Sequence, residues 1–319
     1  MVASQRAVIV TGATSFVGMH LARRFAADGF SVTATISRPR DKYRGIQAQR
    51  LQLLGEKVAI TQLDLRDPQA VSAVVDRICP SLWLHHAGYA TNYASLHYDL
   101  AMGLSINVIP LSSLYSALAG GDCGVIVTGS SAEYSSSSIA NREEDPCVPE
   151  TPYGLSKYSE TLYAAQLAHR HVVFTRVARL YIPFGPFDHP DKLLAQTMAC
   201  LRVGKSVSLS PCNQMRDFLS VGDLCNAYAA LADDLPRKRF DIFNICSGEA
   251  IRLREFLLKI AERMGVAPSN LKFGARPMRE GEPQISYGSN EKARRILNWR
   301  PSPLATRIDC ELLQRWEMR

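Results

Sequence analysis

The sequence has no CxxC motif and no cluster of cysteines with histidines, although eight cysteines are scattered along its 319 residues. The missing spacing excludes the common zinc and iron–sulfur motifs, so we expect no metal site. Isolated cysteines are typical of small buried side chains in a reducing compartment rather than of a disulfide framework. A signal peptide is not expected either, because Arg6-Ala7-Val8-Ile9-Val10 already has the pattern of a strand. These features predict a cytoplasmic protein.

Runs of like charge are also missing, since no five or six consecutive residues carry the same sign. The formal charge of +7 therefore does not indicate nucleic-acid binding, although it suits an anionic ligand. The stretch 100–121 has no charged residue and is about long enough to span a bilayer. Its serines, Asn107 and an apolar stripe at helical spacing instead favour a buried or interface helix, bent at Pro110. We expect neither a membrane nor a nucleic-acid partner.

Short apolar runs alternate with segments of helical spacing through the first half of the chain. The strand-like runs are Ala7–Val10, Ser31–Ile36, Val58–Leu65, Ser81–Gly88 and Gly124–Tyr134. Strands that alternate with helices indicate a parallel, doubly wound sheet. The length allows one main domain and a smaller appendage. We therefore predict an α/β fold, a Rossmann-type doubly wound parallel sheet with a smaller C-terminal α/β substrate-binding domain.

The segment after the first strand has the pattern of a phosphate-binding loop, Thr11-Gly12-Ala13-Thr14-Ser15-Phe16-Val17-Gly18. A strand, a tight turn and a helix in this order aim backbone N–H groups at a pyrophosphate. Gly12 permits the turn and Gly18 lets helix and strand pack closely, while Ser15 stands where a third glycine is usual. A purely structural turn is the alternative. The expected cofactor contacts in the loop are Gly12, Thr14, Ser15, Phe16, Val17 and Gly18.

No acidic residue follows the second strand, which runs into Ser37-Arg38-Pro39-Arg40. An Asp or Glu there would bind the ribose 2′-hydroxyl of NAD, whereas arginine accommodates the 2′-phosphate of NADP. Arg38 and Arg40 therefore predict NADP (NADPH), with NAD less favoured; solvated surface arginines are the alternative. Further cofactor contacts are expected at the ends of the third and fourth strands, from Asp64, Leu65, Ala87 and Gly88.

Tyr153 and Lys157 lie four residues apart in Thr151-Pro152-Tyr153-Gly154-Leu155-Ser156-Lys157. If a helix begins here, both side chains lie on one face, a turn apart. A neighbouring ammonium favours the phenolate, so Lys157 is expected to lower the pKa of Tyr153 from about 10. The two side chains could form a proton-transfer pair, and the same spacing also fits a solvated surface pair.

Several segments together resemble the extended short-chain dehydrogenase/reductase family. They are the TGxxxxxG loop, Ala87-Gly88, Asn107-Val108, Gly129-Ser130-Ser131 ahead of Tyr134, and Pro152-Tyr153-Gly154 with Ser156-Lys157. The resemblance covers nearly the whole chain and implies a Ser130, Tyr153 and Lys157 active site. In it, Tyr153 and Lys157 are also expected to contact the cofactor, and Ser130 and Tyr153 the substrate. It also implies a nucleotide-diphosphate sugar as substrate, and a homodimer formed through the helices that begin near Tyr93 and Tyr153.

Two basic segments of the second half resemble those with which this family contacts the substrate diphosphate. They supply Arg216, within Gln214–Leu224, and Arg279, within Arg279–Pro283. The resemblance implies phosphate contacts for both arginines, with ordinary salt bridges as the alternative, and a substrate contact for Ser131. Ile182 stands where the family usually has an asparagine that touches the phosphates, so no polar contact is expected there.

The same resemblance implies a division of the chain into two domains. Residues 1–181, with about 216–239, are expected to form the NADP-binding Rossmann domain. Residues of about 182–215 and 240–319 are expected to form the nucleotide-sugar-binding domain.

Three reactions of this family compete: 4-epimerisation, 4,6-dehydration and 4-keto reduction. In all three, hydride passes between the nicotinamide and the sugar C4 while the tyrosine exchanges the hydroxyl proton. Dehydratases that resemble this chain place an acidic residue just after the catalytic hydroxyl. Here Ser131 and Ala132 follow Ser130, so dehydration is disfavoured.

The cofactor prediction separates the remaining two reactions. An epimerase keeps one NAD bound through oxidation and re-reduction, whereas a reductase consumes NADPH, which fits Arg38 and Arg40. We expect an NADPH-dependent reductase of a nucleotide-diphospho-6-deoxy-4-ketohexose, with a nucleotide-sugar 4-epimerase as the alternative. A non-catalytic dinucleotide sensor would not need Ser130, Tyr153 and Lys157, so their presence argues against it.

Overall fold

The computed structural model describes residues 6–278 and 282–313. Its strands are β1 (Ala7–Val10), β2 (Ser31–Ile36), β3 (Val58–Gln62), β4 (Leu82–His85), β5 (Gly124–Ser130), β6 (Thr175–Leu180), β7 (Ile182–Phe184), β8 (Val207–Ser208), β9 (Met215–Arg216), β10 (Phe218–Ser220), β11 (Phe240–Ile245), β12 (Ile251–Arg252), β13 (Leu271–Lys272) and β14 (Ile285–Ser286). Its α-helices are α1 (Phe16–Ala27), α2 (Gly45–Leu53), α3 (Pro68–Ile78), α4 (Leu100–Gly103), α5 (Leu111–Leu118), α6 (Pro152–Arg170), α7 (Leu193–Arg202), α8 (Val221–Asp234), α9 (Leu253–Arg263), α10 (Glu291–Ile296) and α11 (Leu304–Ile308).

Among the described residues, the largest sheet has seven strands in the order β11-β6-β5-β4-β1-β2-β3. Every neighbouring pair is parallel. The strand order reverses between β1 and β4, and in such sheets ligands bind at the carboxyl ends beside this switch point. The predicted doubly wound Rossmann-type sheet is confirmed.

Two apolar layers cover the faces of this sheet, as the alternation of side chains along β1 shows. Val8 and Val10 face the layer that includes buried residues of α1 and α8. Ile9 faces the opposite layer, which includes buried residues of α3, α5 and α6. Because successive residues of a strand point to opposite faces, one short apolar strand anchors both layers.

A third apolar cluster forms the core of the smaller part of the molecule. It joins Phe184, Phe218 and Phe256 with buried residues of α7 and α9. The rings of Phe218 and Phe256 are stacked with their centres 4.1 Å apart. Phe218 therefore packs with the small part, although we predicted 216–239 to belong to the Rossmann domain.

The predicted boundary at residue 240 is wrong for β11. This strand pairs with β6 along its whole length, from Phe240 opposite Thr175 to Ile245 opposite Leu180. Its buried Phe243 and Ile245 join an apolar layer of the large sheet, which explains why the strand stays there. The remaining domain boundaries stay predictions.

The uncharged stretch is helical from Leu100 to Leu118 and, within the described residues, is the one helix long and apolar enough to cross a membrane. Core helices of soluble proteins pass the same test. A π-helical turn over Leu104–Val108 precedes Pro110, which has no N–H to continue the regular pattern. Leu114 and Leu118 on α5 pack into the core, so this helix buries one face as predicted.

Candidate active site

The loop between β1 and α1 is held by a helix cap and by two close glycine contacts. Gly12 has a φ of +73°, and a Cβ there would lie 2.9 Å from the Cα of Ala87. A Cβ on Gly18 would lie 2.3 Å from the carbonyl oxygen of Gly12. Ser15 caps α1, and its Oγ accepts a hydrogen bond of 2.9 Å from the N–H of Gly18. The first turn of α1 has no acidic residue, so its positive end suits a pyrophosphate.

Phe16 and Val17 contribute to this loop in a different way from Thr14 and Ser15. The side chains of Phe16 and Val17 are buried in the core, so only their backbone can face a cofactor. Thr14 and Ser15 are half-buried and remain accessible from the crevice. In this loop, Thr14 and Ser15 can therefore offer side chains to a cofactor, and Phe16 and Val17 only their backbone.

Thr11 ties the loop to the end of β4 and was missed in the sequence. Its buried Oγ1 donates to the carbonyl of Leu84 at 3.2 Å. The same oxygen accepts from the N–H groups of His86 and Ala87, each at 2.9 Å. This bond set fixes Ala87 beside Gly12. Only a threonine in a glycine loop was visible in the sequence, because its partners lie more than seventy residues away.

Gly12→Ala is expected to weaken cofactor binding and to lower the free energy of unfolding. Left-handed backbone costs a non-glycine residue about 1–2 kcal/mol, and the added methyl group would also push against Ala87. Gly29→Ala is the matched control, because Gly29 has a φ of +89° with nothing within 4 Å of its added Cβ. Denaturant unfolding and dinucleotide titration of both variants measure the difference. Equal losses in both would contradict the close approach of Ala87.

The predicted 2′-phosphate residues lie on the surface directly after β2. Arg38 and Arg40 are both exposed, and the guanidinium of Arg38 lies 4.7 Å from the centre of the Tyr43 ring. Arg44 is also exposed there and was missed, although basic residues at 38, 40, 42 and 44 form a regular pattern. Stacking on Tyr43 orients Arg38 without neutralising it, so its charge stays available for an anionic group.

The carboxylate of Asp64, which follows β3, forms a salt bridge with a neighbouring arginine. Its carboxylate accepts hydrogen bonds from Arg66, the shortest of 2.7 Å. These bonds lower the pKa of Asp64. Leu65 is half-buried and Gly88 is exposed. The structure thus leaves Leu65, Ala87 and Gly88 open as cofactor contacts, whereas the Asp64 side chain is engaged elsewhere.

Helix α6 begins where the sequence predicts and carries the catalytic candidates on one face. Thr151 caps it, its Oγ1 accepting a hydrogen bond of 3.0 Å from Gly154, and Pro152 takes the first helical position. The side chain of Ser130 lies close enough to Tyr153 to favour its phenolate form. Ser130 ends β5, so the carboxyl end of the sheet brings serine and tyrosine together. Tyr153 and Lys157 are not the solvated pair that the spacing alone allowed.

The pKa of Tyr153 is higher than the sequence analysis led us to expect. Burial raises the pKa of Tyr153 above its ordinary value, and the Lys157 ammonium, which lowers it, does not compensate fully. Burial alone would lower the pKa of Lys157, yet the carboxylate of Glu160 and the oxygen of Tyr153 raise it above its ordinary value. Lys157 thus lowers the pKa of Tyr153 as predicted, but the net shift is upward, because desolvation of the phenolate outweighs the nearby cation.

Glu133 is the acidic residue nearest to Ser130 along the chain, and its carboxylate has a structural role. One oxygen accepts from the N–H of Ser130 at 2.8 Å. The other accepts from Thr161 at 2.9 Å and from Arg179 at 2.8 Å. The residue is fully buried. A carboxylate held by three donors is poorly placed to remove a proton from a substrate, which supports the expectation that dehydration is disfavoured.

The remaining predicted substrate residues are Ser131, Arg216 and Arg279. Arg216, on β9, is buried and donates to Glu282 at 3.0 Å, so the alternative of a salt bridge is what the structure shows. Arg279 lies outside the described residues. Ser131 is half-buried directly after Ser130. Asp217 does not pair with Arg216; it accepts hydrogen bonds of 2.7 and 2.9 Å from the N–H groups of Ser247 and Gly248.

Comparison with known protein families shows which family the chain belongs to. The model of the NAD dependent epimerase/dehydratase family matches residues 8–246, more than half of the chain. The chain belongs to this family. The predicted resemblance to extended short-chain dehydrogenases/reductases is thereby confirmed.

Relatives of this epimerase/dehydratase family member include a reductase and several epimerases. A dTDP-4-dehydro-6-deoxy-D-allose reductase from Streptomyces sp is 27% identical over 329 residues, covering 98% of this chain and 96% of the relative. UDP-glucose 4-epimerase 2 from Arabidopsis thaliana is 24% identical over 330 residues, covering 92% and 90%. The structure of UDP-glucuronic acid 4-epimerase from Bacillus cereus, in complex with UDP-glucuronic acid and NAD, has a TM-score of 0.82 at 19% identity, covering 96% and 97%. The last likeness establishes the fold.

Membership of this family supports a nicotinamide dinucleotide as cofactor, and the residues present fit one. The close contacts of Gly12 and Gly18 keep the loop compact at the amino end of α1, where a helix offers N–H groups to an anion. Tyr153 and Ser130 lie at the carboxyl end of the same sheet. The pyrophosphate would lie on the loop, with the nicotinamide toward Tyr153.

Proposed function

We propose that this protein is an NADPH-dependent reductase of a nucleotide-diphospho-6-deoxy-4-ketohexose. The observation that carries the choice of cofactor is the exposed basic segment after β2. Arg38 and Arg40 are available there, and no acidic residue occupies the end of the strand to bind a ribose 2′-hydroxyl. Guanidinium groups suit a phosphate through paired hydrogen bonds. A reductase consumes NADPH at each turnover, so a 2′-phosphate site fits that reaction.

The residues of α6 and β5 supply the proton chemistry of this reaction. When bound, the nicotinamide supplies hydride to the sugar C4. Ser130 donates a hydrogen bond to the C4 oxygen and holds it beside Tyr153, whose hydroxyl gives its proton to the forming alkoxide. The raised pKa of Tyr153 keeps the phenol protonated near neutral pH, as a proton donor requires. Lys157 places a positive charge behind Tyr153, which favours the phenolate that remains.

Arg216 is proposed to contact the substrate diphosphate by exchanging its partner. It pairs with Glu282 at 3.0 Å, and a diphosphate offers more acceptor oxygens and more charge than one carboxylate. Ser131, which follows Ser130, is proposed to contact the sugar. The reductase among the relatives acts, by its name, on a dTDP-linked 4-dehydro-6-deoxy sugar, the class of substrate proposed here.

A nucleotide-sugar 4-epimerase with tightly bound NAD is the second candidate. The UDP-glucose 4-epimerases among the relatives favour it, and the same Ser130 and Tyr153 would serve, with the phenolate first acting as base. The two candidates differ in the cofactor that the purified protein carries. We expect mass spectrometry of the nucleotide released on denaturation to find NADP. Stoichiometric NAD that survives gel filtration would instead support the epimerase.

We also propose a homodimer formed through α5 and α6. An apolar face between these helices is lined by Val108, Ile109, Ser112, Ser159, Leu162, Tyr163 and Gln166, and Ile109 and Leu162 are 64% and 53% exposed. Such faces mark protein interfaces.

Ile109→Glu is expected to convert a dimer to a monomer in sedimentation equilibrium. Val203→Glu, at an equally exposed site after α7, is the matched control and should leave the protein dimeric. A wild-type monomer would refute the proposal.

A cytoplasmic location remains part of the proposal. All eight cysteines are free, and Cys79 and Cys310 are exposed, which corrects the expectation that the cysteines are buried. Exposed thiols persist in a reducing compartment. Fractionation of cells that express the full chain tests this, and recovery in the membrane pellet would contradict it.

A further inference from the structure

A buried carboxylate lies directly behind Lys157 on the same helix. Glu160 follows Lys157 by one helical turn, and the Lys157 ammonium donates to its Oε2. The two residues are 7% and 1% exposed. A lysine this deeply buried keeps its charge only if a counterion is present, because desolvation otherwise favours the neutral amine. The sequence gives no sign of this pair beyond two ionisable residues at a helical spacing.

The second oxygen of Glu160 serves no other cation. Glu160 Oε1 has no hydrogen-bond partner among the described residues and lies 3.8 Å from Nε2 of His85. His85 is itself buried, with neither ring nitrogen bonded to another described residue. Burial, with the charge of Lys157, lowers the pKa of His85 to about 3, so the ring is neutral near pH 7. Within the described structure, Lys157 is therefore the cation that Glu160 contacts.

The other charged and titratable groups around Lys157 do not replace Glu160. They are Tyr153 on α6, His85 and His86 at the end of β4, Glu133 after β5 and Tyr98 before α4. The two histidines are neutral near pH 7, since burial lowers the pKa of each to about 3. Glu133 is held by Arg179 at 2.8 Å.

We propose that Glu160 is a positioning residue which keeps Lys157 protonated and directed at the tyrosine in the proposed reaction. The inference rests on the proposed function for its catalytic consequence, although the lysine–glutamate pair exists without it. If the salt bridge were merely structural, the loss of stability on removing it would not change with pH. A counterion that maintains the charge of a buried lysine makes both stability and turnover depend on pH once it is removed.

The sign of this dependence follows from where Lys157 loses its proton. In the Glu160→Gln variant, burial acts on Lys157 without its main counterion, so the pKa in the folded state falls below the unfolded value of about 10.4. Between these two values the unfolded chain binds one more proton than the folded one. The folding equilibrium constant of the variant, relative to wild type, therefore rises with pH by up to about tenfold per unit. Turnover relative to wild type falls over the same range, because the cation behind Tyr153 is lost.

Asp234→Asn is the matched control. Asp234 pairs with the fully buried Arg176 at 2.7 Å, and a guanidinium does not lose its proton in proteins. Breaking this pair also leaves a buried cation without its carboxylate, so a loss of stability that does not vary with pH is expected. Arg176 and Asp234 take no part in the proposed reaction.

Burial raises the pKa of Glu160 to about 7, so wild-type stability itself varies with pH near that value. The test is therefore denaturant unfolding of wild type, Glu160→Gln and Asp234→Asn, without added cofactor, between about pH 8.5 and 10, where this carboxylate is largely ionised. NADPH oxidation with a dTDP-linked 6-deoxy-4-ketohexose is measured over the same range. A relative stability that rises with pH in Glu160→Gln alone, with falling relative turnover, is expected. A pH-independent ratio in both measurements would overturn the proposal.

The two arms separate this inference from the proposed function. A wild type that turns over no 4-keto sugar refutes the function, while the unfolding arm still decides whether Glu160 maintains the charge. If Glu160→Gln does not fold, Glu160→Asp is used, where a shorter carboxylate should hold Lys157 less closely. A smaller rise of relative stability with pH is then expected, and a flat ratio would overturn the proposal.

Discussion

Replacing Tyr153 with phenylalanine is expected to lower turnover by about 10²- to 10⁴-fold, the usual contribution of general acid–base catalysis. The phenol is the group that lies beside Ser130 and, in the proposed reaction, gives its proton to the C4 oxygen. Phenylalanine keeps the ring, so its contacts with the neighbouring rings of Tyr93 and Tyr98, centred 5.6 Å away, are retained. Binding of cofactor and substrate should therefore change little. Steady-state turnover and cofactor titration together measure the effect.

Tyr115→Phe is the matched control for this loss. Tyr115 is fully buried, and its hydroxyl shares a hydrogen bond of 3.1 Å with Thr175. Thr175 begins β6, so this hydroxyl lies at the amino end of the sheet, away from Ser130. Removing it should cost about 1 kcal/mol of stability and leave turnover near that of wild type. Comparable turnover in Tyr153→Phe and Tyr115→Phe would contradict the role of Tyr153.

Arg38→Ala is expected to weaken NADPH binding by about 10- to 100-fold, while NADH binding changes little. Hydrogen bonds to charged groups contribute about 1.5–3 kcal/mol, and the 2′-phosphate is the group that distinguishes the two cofactors. The guanidinium of Arg38 is oriented by Tyr43, 4.7 Å from its ring centre, so little ordering is required on binding. Titration with both nucleotides at fixed salt measures the ratio, which screening by added salt should reduce.

Arg6→Ala controls for the loss of a stacked surface arginine. The guanidinium of Arg6 also lies 4.7 Å from an aromatic ring, that of Phe30. Arg6 directly precedes β1, so it lies at the amino end of the sheet, opposite the crevice. Its replacement should leave the preference between NADPH and NADH unchanged. An equal loss of NADPH and NADH affinity in Arg38→Ala would argue against a 2′-phosphate contact.

The features that the sequence predicted correctly are those encoded by nearby residues. The phosphate loop needs only a strand, Gly12, Gly18 and a following helix, all within one βα unit. Helix α6 needs Thr151 as its cap and Pro152 at its first position. Local chemistry determines such features, so their elements and bounds could be inferred without knowledge of the tertiary packing.

The features that could not be predicted from the sequence depend on contacts between distant segments. Thr11 binds the end of β4, and β11 pairs with β6 rather than joining the small part. The direction of the pKa shift of Tyr153 depends on how much burial the whole fold imposes, which no local pattern gives. Glu160 was overlooked for the same reason, because a helical spacing does not reveal that both partners are buried.

The most direct test of the proposed function is the amount of NADPH oxidised per nucleotide sugar converted. The purified full-length protein would be given NADPH and, in turn, dTDP-, GDP- and CDP-linked 6-deoxy-4-ketohexoses, with product measured by mass spectrometry. We expect one NADPH to be oxidised for each 4-hydroxy sugar formed, with at least one of these substrates. No net NADPH oxidation with any of them, together with interconversion of UDP-linked 4-epimers by bound NAD, would contradict it.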